Sequence, residues 1–418
     1  MVEYNTQKNP GSLPADFGFN PNYRETLQKY PSLFPSTPSE QAPDVIAYVD
    51  PKFKMPQVWR SNLNVDIQLP YDFMLSVGAM YTRDIYNVAQ INMNEAEPTG
   101  VYNEQPDRIY WASKKYEYND YTNGKNVVVK LSNGEDKGYQ YSFNAILTKK
   151  YDFGFTGSIG YTYTMAKDLT ANPGSAPNSA WQNNVAVNSL NDPGVSYSLF
   201  STPHRIIANA SYEINYAKCL KTTFSLFYSG YHTGRYSYTY YNDMNGDGNY
   251  SDLIYVPNSQ DEMTFVDITD KSGAITYSAV DQAKDFWDFV NNDSYLKDRK
   301  GKYVERNGSL TPWINRFDFK IAQDFYATLG GRKYGIQVSL DMLNVGNMIN
   351  SKWGAYQSCG LKSYDNVQLL KTASKVGEPL TYQINANSRE AFKERSSWQY
   401  TNTIGSAWSM QLGVKVTF

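Results

Sequence analysis

Apolar and polar residues alternate without interruption at the end of the chain. The even positions carry Trp408, Met410, Leu412, Val414, Val416 and Phe418, and the odd positions between them carry Ser409, Gln411, Gly413, Lys415 and Thr417. A period of two predicts a β-strand with one apolar and one polar face. A tilted strand crosses a bilayer with roughly 9 to 11 residues. The predicted strand 405–418 is therefore long enough to span one.

Similar alternation recurs in eight earlier segments, so the sequence predicts nine strands. Their predicted bounds are 57–69, 73–93, 138–149, 155–167, 203–216, 221–241, 312–326, 334–343 and 405–418. A short turn and a long connection follow one another in strict order along these strands. Outer-membrane barrels have short periplasmic turns and long extracellular loops. The folds of β-sandwiches and β-propellers do not require that order of short and long connections. Soluble up-and-down barrels, however, share the strand pattern.

We therefore predict an all-β fold, an antiparallel transmembrane β-barrel with long extracellular loops. Residues 1–52 are rich in proline and are predicted to be an extracellular loop segment, and residues 53–418 form the barrel part. Bacterial single-chain barrels have an even number of strands, so nine strands predict the carboxy-terminal part of a longer protein. The alternative is one miscounted strand, around Val127 or in 367–384. The predicted barrel places the protein in the bacterial outer membrane, in contact with its lipid.

Composition narrows the chemistry. The chain has 37 Tyr, 19 Phe and 8 Trp but only 2 His and 2 Cys. Its mean hydropathy is -0.58, and it has no apolar run long enough for a helical membrane span. With 39 basic and 41 acidic residues, it lacks the basic surface that nucleic-acid binding requires. His204 and His232 lie in predicted strands without a nucleophile motif, so we predict no enzyme activity.

One loop has the spacing of a metal site. Asp243, Asn245, Asp247 and Asn249 alternate around Gly248, and this matches the opening of a Ca²⁺-binding EF-hand loop. The twelfth position is Ile254 instead of the bidentate Glu, and Asp252 is a substitute ligand. The alternative is a turn in which these side chains cap their own backbone.

Two further features belong to the same long connection. Ser278 and Asp281 have capping-box spacing and predict a helix over 278–290. The residues at helical spacing, Val280, Ala283, Trp287 and Val290, are expected to pack on the barrel rim, with contact to a ligand as the alternative. The tyrosine run Tyr236, Tyr238, Tyr240 and Tyr241 is interpreted as an interfacial girdle, with stacking on a ligand as the alternative.

The motifs of the second half resemble those of the TonB-dependent outer-membrane transporters, in particular the Oar-like branch. The matching stretches are 243–248, 252–257, Tyr295-Leu296, Arg306-Asn307, Pro312-Trp313 with Arg316 and Asp318, 340–347, Trp353-Gly354 and the terminal Phe418. The resemblance implies a barrel of 22 strands and a plug that carries the TonB-binding segment. Neither plug nor segment is recognisable in this sequence.

The resemblance also implies a function and partners. We expect a receptor and transporter barrel for TonB-dependent uptake of an unknown nutrient, with the TonB complex acting through a plug that this chain lacks. Trp408 and Phe418 in the terminal strand resemble the signal read by the barrel-assembly machinery. The alternatives are a plug-less, porin-like channel and a surface binding or adhesion protein. The predicted polar lumen face carries both charge signs, at Arg60, Asp66, Arg205, Glu213, Arg316, Asp318, Lys320 and Lys415.

Overall fold

The computed structural model describes residues 13–18, 20, 22–31, 45–118, 127–250, 252–330, 332–359, 362–363, 366–385, 398–401 and 403–418. The chain divides into a small unit, Met1–Asp44 with Asn119–Asn126, and a large unit, Val45–Tyr118 with Val127–Phe418. In the small unit, helix α1 spans Tyr23–Lys29 and begins where the Asn22 side chain accepts a hydrogen bond from the Arg24 backbone. Most of the predicted loop segment 1–52 lies outside the described residues.

The large unit contains three α-helices, α2 (Pro177–Gln182), α3 (Ala279–Asn292) and α4 (Val345–Ile349), among its described residues. Its strands up to residue 200 are β1 (Val45–Val49), β2 (Gln57–Leu69), β3 (Phe73–Tyr86), β4 (Ala89–Asn92), β5 (Gly100–Val101), β6 (Ile109–Tyr110), β7 (Val127–Ser132), β8 (Tyr139–Lys150), β9 (Phe155–Asp168) and β10 (Ser196–Tyr197). Then follow β11 (His204–Tyr216), β12 (Leu220–His232), β13 (Arg235–Tyr240), β14 (Tyr255–Val256), β15 (Thr264–Phe265), β16 (Ile268–Thr269), β17 (Ile275–Tyr277), β18 (Lys302–Tyr303) and β19 (Ser309–Leu310). The last are β20 (Trp313–Leu329), β21 (Arg332–Leu343), β22 (Gln357–Cys359), β23 (Lys362–Ser363), β24 (Asn366–Thr372), β25 (Thr381–Ile384), β26 (Trp398–Tyr400) and β27 (Ser409–Thr417).

Nine long strands form the main sheet, in the order β2-β3-β8-β9-β11-β12-β20-β21-β27, with the short β10 added to β9. Each strand pairs antiparallel with the one that precedes it in this order. The turns at one end are short, and the connections at the other end are long. Within the described residues β2 and β27 are free edges of an open sheet, so barrel closure and the number of 22 strands stay predictions.

One face of the main sheet carries apolar side chains across the whole width of the sheet. Register places Ile159, Ala208, Tyr228 and Phe317 beside one another on one face, which continues through Phe319, Met342 and Met410. Large side chains on this face are open to the surroundings, with Leu63 67% and Leu412 72% exposed. An apolar surface of this extent indicates contact with something other than water.

The described parts of the long connections, which we call the cap, hold the large buried core. The cap comprises the described residues of 87–138, 169–203, 233–312 and 344–408, and its largest sheet has the order β15-β25-β24-β13-β19. Helix α3 packs against this sheet through Phe286, Phe289 and Val290, which are almost fully buried. Burial of apolar side chains against one another stabilises the cap in the usual way of a water-soluble domain.

Three predicted strands are wrong at the ends nearest the cap. The predicted strand 73–93 stops at Tyr86, and β4 pairs with β7 in a separate sheet. The strand 221–241 stops at His232, because Thr233 and Gly234 bond to Thr311 and the chain turns into β13. Residues 405–408 precede β27 as a turn. In the first two cases the alternation of the sequence continues past the break, so periodicity alone does not locate it.

Two other predictions are also corrected. Residues 45–49, assigned to a loop, form β1 and pair in parallel with β7. The tyrosine run is not a girdle, because Tyr236, Tyr238 and Tyr240 lie inside the cap core and are at most 3% exposed. Only Tyr241 of that run is exposed. The predicted helix does form as α3 with Ser278 as its N-cap, but Val280 is 77% exposed and does not belong to the packed face.

Candidate functional site

The face of the main sheet opposite the apolar one collects the charged side chains. All eight predicted lumen residues lie at positions of this face: Arg60, Asp66, Arg205, Glu213, Arg316, Asp318, Lys320 and Lys415. The geometry of a β-strand explains this placement, because alternate side chains of a strand point to opposite faces of the sheet. The polar face is therefore continuous from β2 to β27.

Two of these eight charges, Lys320 and Glu213, have ion-pair partners on neighbouring strands. Lys320 lies 2.8 Å from Asp341, and Lys221 lies 3.5 Å from Glu213 and 3.6 Å from Asp324. Near the short turns, Glu213, Lys221 and Asp324 also line a cavity of about 440 Å³. Because the face carries charges of both signs, it favours neither anionic nor cationic ligands.

The acidic loop of the cap, 243–252, folds around its own backbone. The Asp243 carboxylate accepts hydrogen bonds from the backbone N–H groups of Gly246 and Gly248, at 2.7 and 2.9 Å. The Asn245 side chain accepts from Asp247 N at 3.0 Å, and Asp247 accepts from Asn249 N at 2.7 Å. This is the arrangement of successive Asx turns, and both glycines have positive φ.

Burial gives this loop unusual electrostatics. Asp247 and Asp252 are 4% and 3% exposed. Burial, together with the nearby carboxylates of Asp252 and Asp243, raises the pKa of Asp247 well above its ordinary value. Burial also raises the pKa of Asp252 to about 7, although the Arg108 guanidinium opposes that shift. A cluster of this kind is stabilised by a proton or by a cation.

Calcium binding by this loop stays a prediction. Asp243, Asn245, Asp247 and Asp252 lie in one short segment of the cap, and Asn249 closes its last turn. Across the described part of the chain, no three His, Cys, Asp or Glu side chains are arranged to hold a metal ion. Oxygens of Asp243, Asn245, Asp247 and Asp252 already accept backbone hydrogen bonds, and each keeps a second lone pair that a cation could use.

Sequence reasoning missed Arg108, the cation that faces this loop. Arg108 is fully buried, lies 3.6 Å from Asp252 and donates to the carbonyl oxygens of Val187 and Leu253. It comes from a different long connection that has no periodic pattern. No feature of the sequence near residue 108 indicates that it pairs with a residue 144 positions away.

The two residues proposed as an assembly signal lie at the ends of the last strand. Trp408 directly precedes β27 and is 43% exposed, and Phe418 follows it and is 94% exposed. Their proposed role in assembly stays a prediction. Among the described helices, none is both long and apolar enough to cross a membrane.

Comparison with known proteins agrees with this geometry. A family described as an outer membrane beta barrel domain matches residues 2–355, which is most of the chain. Searches of the curated proteins and of the solved structures find no match. An antiparallel sheet with an apolar outer face and a polar inner face is the architecture expected of such a barrel wall. The chain therefore belongs to the outer membrane beta barrel domain family and is a protein of the bacterial outer membrane.

Proposed function

We propose that the chain is the receptor and transporter barrel of a TonB-dependent uptake system of the Oar-like branch, and that it moves a nutrient too large for passive pores. In this proposal the main sheet is part of a 22-stranded barrel. A plug gates its lumen and contacts the TonB complex. The cap captures the nutrient on the outer side of the membrane.

The observation that carries the proposal is the size and order of the cap. Its core includes Tyr238, Ile254, Val290 and Leu369, which are completely buried. A passive channel does not need a folded body with such a core at its outer end, whereas a receptor that captures a ligand does. The polar face beneath it supplies a wetted path.

The experiment measures uptake and conductance of the protein as it is made in the cell. Cells that carry the full-length gene product are supplied with a panel of labelled oligosaccharides and oligopeptides, with and without functional TonB. We expect at least one compound to accumulate only when TonB is functional, and we expect the purified protein to give no steady conductance in a planar bilayer. Equal accumulation without TonB together with steady conductance would support the plug-less channel instead. Binding of cells to a surface without uptake of any compound would support adhesion.

A further inference from the structure

A groove opens on the apolar face of the main sheet, at the end where the long connections leave it. Strand β20 pairs with β12 from Trp313 onward, but its pairing with β21 begins only at Phe319. Residues 313–318 thus have a strand neighbour on one side only. The chain after β21 turns away at Asn344, which has φ 52, and the gap becomes a cavity of about 370 Å³.

One buried side chain, that of Asn344, contributes to holding the far wall of this gap in place. Asn344 donates from its backbone to Asp318 at 2.7 Å, and its side chain donates to the carbonyl oxygens of Gly354 and Ser406. A Cβ atom on Gly354 would lie 1.9 Å from Asn344 Oδ1, so only glycine fits at that position. The segment 352–357 therefore stands at a fixed position opposite the start of β20.

The side chains that line the cavity combine aromatic rings, an amide and one cation. We call this cavity the rim groove, lined by Trp313, Asn315, Lys352, Trp353 and Tyr400 among others. Asn315 Oδ1 accepts hydrogen bonds from Trp313 Nε1 at 2.9 Å and from Tyr228 at 2.7 Å. These bonds orient its amide nitrogen away from both donors.

The cation of the rim groove has no counter-charge among the described residues. The Lys352 ammonium lies 5.9 Å from the centre of the Tyr400 ring, and no carboxylate of the described chain lies within ion-pair distance of it. Trp353 and Tyr400 are 54% and 47% exposed. A cation beside an exposed tyrosine ring, with an exposed tryptophan in the same groove, is complementary to a group that carries both negative charge and a flat, hydroxylated surface.

We propose that the rim groove binds the headgroup of a phosphorylated glycolipid in the outer leaflet. The apolar face of the sheet meets lipid, and the long connections lie on the extracellular side, so the groove opens at the outer leaflet. That leaflet consists largely of glycolipids whose sugars carry phosphate groups. Lys352 pairs with the phosphate, the exposed rings of Trp353 and Tyr400 lie against the sugar, and the Asn315 amide donates to a sugar oxygen. The inference does not depend on TonB-dependent transport.

Native mass spectrometry of the detergent-purified protein tests the proposal with three defined probes. The probes are bis-phosphorylated lipid A, the same lipid A after removal of its phosphates, and phosphatidylglycerol. We expect the phosphorylated lipid A to bind about tenfold more tightly than either of the others, the size of one charge-assisted contact. Lys352→Gln should abolish the preference for phosphorylated lipid A. Trp353→Ala should weaken the binding of both forms of lipid A.

Lys218→Gln is the matched control, because Lys218 is exposed in a short turn at the opposite end of the sheet. It should bind all three probes as the wild type does. A change of electrophoretic mobility on heating shows that a variant is folded before heating. If Trp353→Ala does not fold, the binding of the three probes by Lys352→Gln alone tests the proposal. Any one of three results would overturn the proposal. The wild type could bind dephosphorylated lipid A as tightly as phosphorylated lipid A, or it could bind phosphatidylglycerol as tightly. The third result is that Lys352→Gln keeps the preference for phosphorylated lipid A.

Discussion

Arg108 and Asp252 form an ion pair inside the cap, with 3.6 Å between Nη1 and Oδ1 and with side chains that are 0% and 3% exposed. The same guanidinium donates to Gln105 at 3.2 Å and lies 4.8 Å from the ring centre of Tyr303. The pair joins the long connection that follows β3 to the long connection that follows β12. It is thus a link between parts of the cap that are distant in sequence.

Removal of Arg108 should open the cap locally. Arg108→Ala leaves the Asp252 carboxylate buried without its counter-charge, although Met244 N still donates to it, and removing one partner of a buried pair costs about 3–5 kcal/mol. Hydrogen exchange of the Leu253 amide, which donates to Ala186 at 2.9 Å, should accelerate accordingly. The exposed Arg83 is the control, because Arg83→Ala removes no buried contact. Replacing both partners, with Arg108→Met and Asp252→Leu, should restore part of the protection, because the unpaired charge is gone but the carbonyl oxygens of Val187 and Leu253 still lose their donor. Equal exchange in Arg108→Ala and Arg83→Ala would show that the pair does not stabilise the cap.

Calcium should order the acidic loop. At a free concentration of about 100 times the dissociation constant, a bound ion lowers the population of the open loop roughly a hundredfold. Limited proteolysis of 242–257 should therefore slow when calcium is added and recover when a chelator removes it. Asp247→Ala should abolish the response, whereas the exposed Asp261→Ala should keep it. Unchanged cleavage with and without calcium would rule the site out.

Glu95 should make the cap less stable as the pH rises. Burial raises the pKa of Glu95, although hydrogen bonds from Ser189 and Asn191 oppose the shift. The neighbouring acidic groups are Glu97, Asp247 and Tyr116. A raised pKa means that the folded state holds the proton more tightly than the unfolded state does. The stability gained by this proton is complete below the ordinary glutamate pKa of 4.5 and is lost as the pH rises through the folded-state pKa.

Glu95→Gln removes this titration, so the variant should lose less stability than the wild type as the pH rises above 4.5. Hydrogen exchange around Ser189 and Asn191, corrected for the intrinsic pH dependence of exchange, measures the difference. Parallel pH profiles for the two proteins would exclude Glu95 as the titrating group.

The carboxy-terminal aromatic residue should affect assembly. If Phe418 is read by the barrel-assembly machinery, Phe418→Ala should lower the amount of protein inserted in the outer membrane while the amount synthesised stays the same. Thr417→Ala, one residue earlier, is the control. Pulse labelling followed by separation of folded from unfolded protein measures the yield. The same yield for both variants would remove Phe418 from the signal.

The strands of the main sheet are predictable because each follows a period of two that a single sequence displays directly. Leu412 and Val414 alternate with Gln411 and Gly413. The register of strand pairing then places the alternating residues of the neighbouring strand on the same two faces of the sheet. The strand ends near the cap are different. At Thr233 and Gly234 the chain leaves the sheet because of bonds to Thr311, a residue that no local pattern connects to them.

The site in the cap is harder to predict for the same reason. The Asx turns of Asp243 and Asp247 follow from local spacing, since their partners lie within five residues. The contact of Asp252 with Arg108 depends on how two long connections fold against each other. Tyr238 is fully buried because of that fold, whereas its own sequence context resembles an interfacial girdle.

The central claim is that the main sheet stands in the outer membrane with one face toward lipid and the other toward water. Spin labels placed singly along β27, in a background where the exposed Cys219 is replaced by Ser, test it most directly. Labels at 410, 412, 414 and 416 should be accessible to oxygen dissolved in lipid. Labels at 411, 413 and 415 should be accessible to a water-soluble relaxation agent. Accessibility without this alternation, or with the two sets exchanged, would contradict the account.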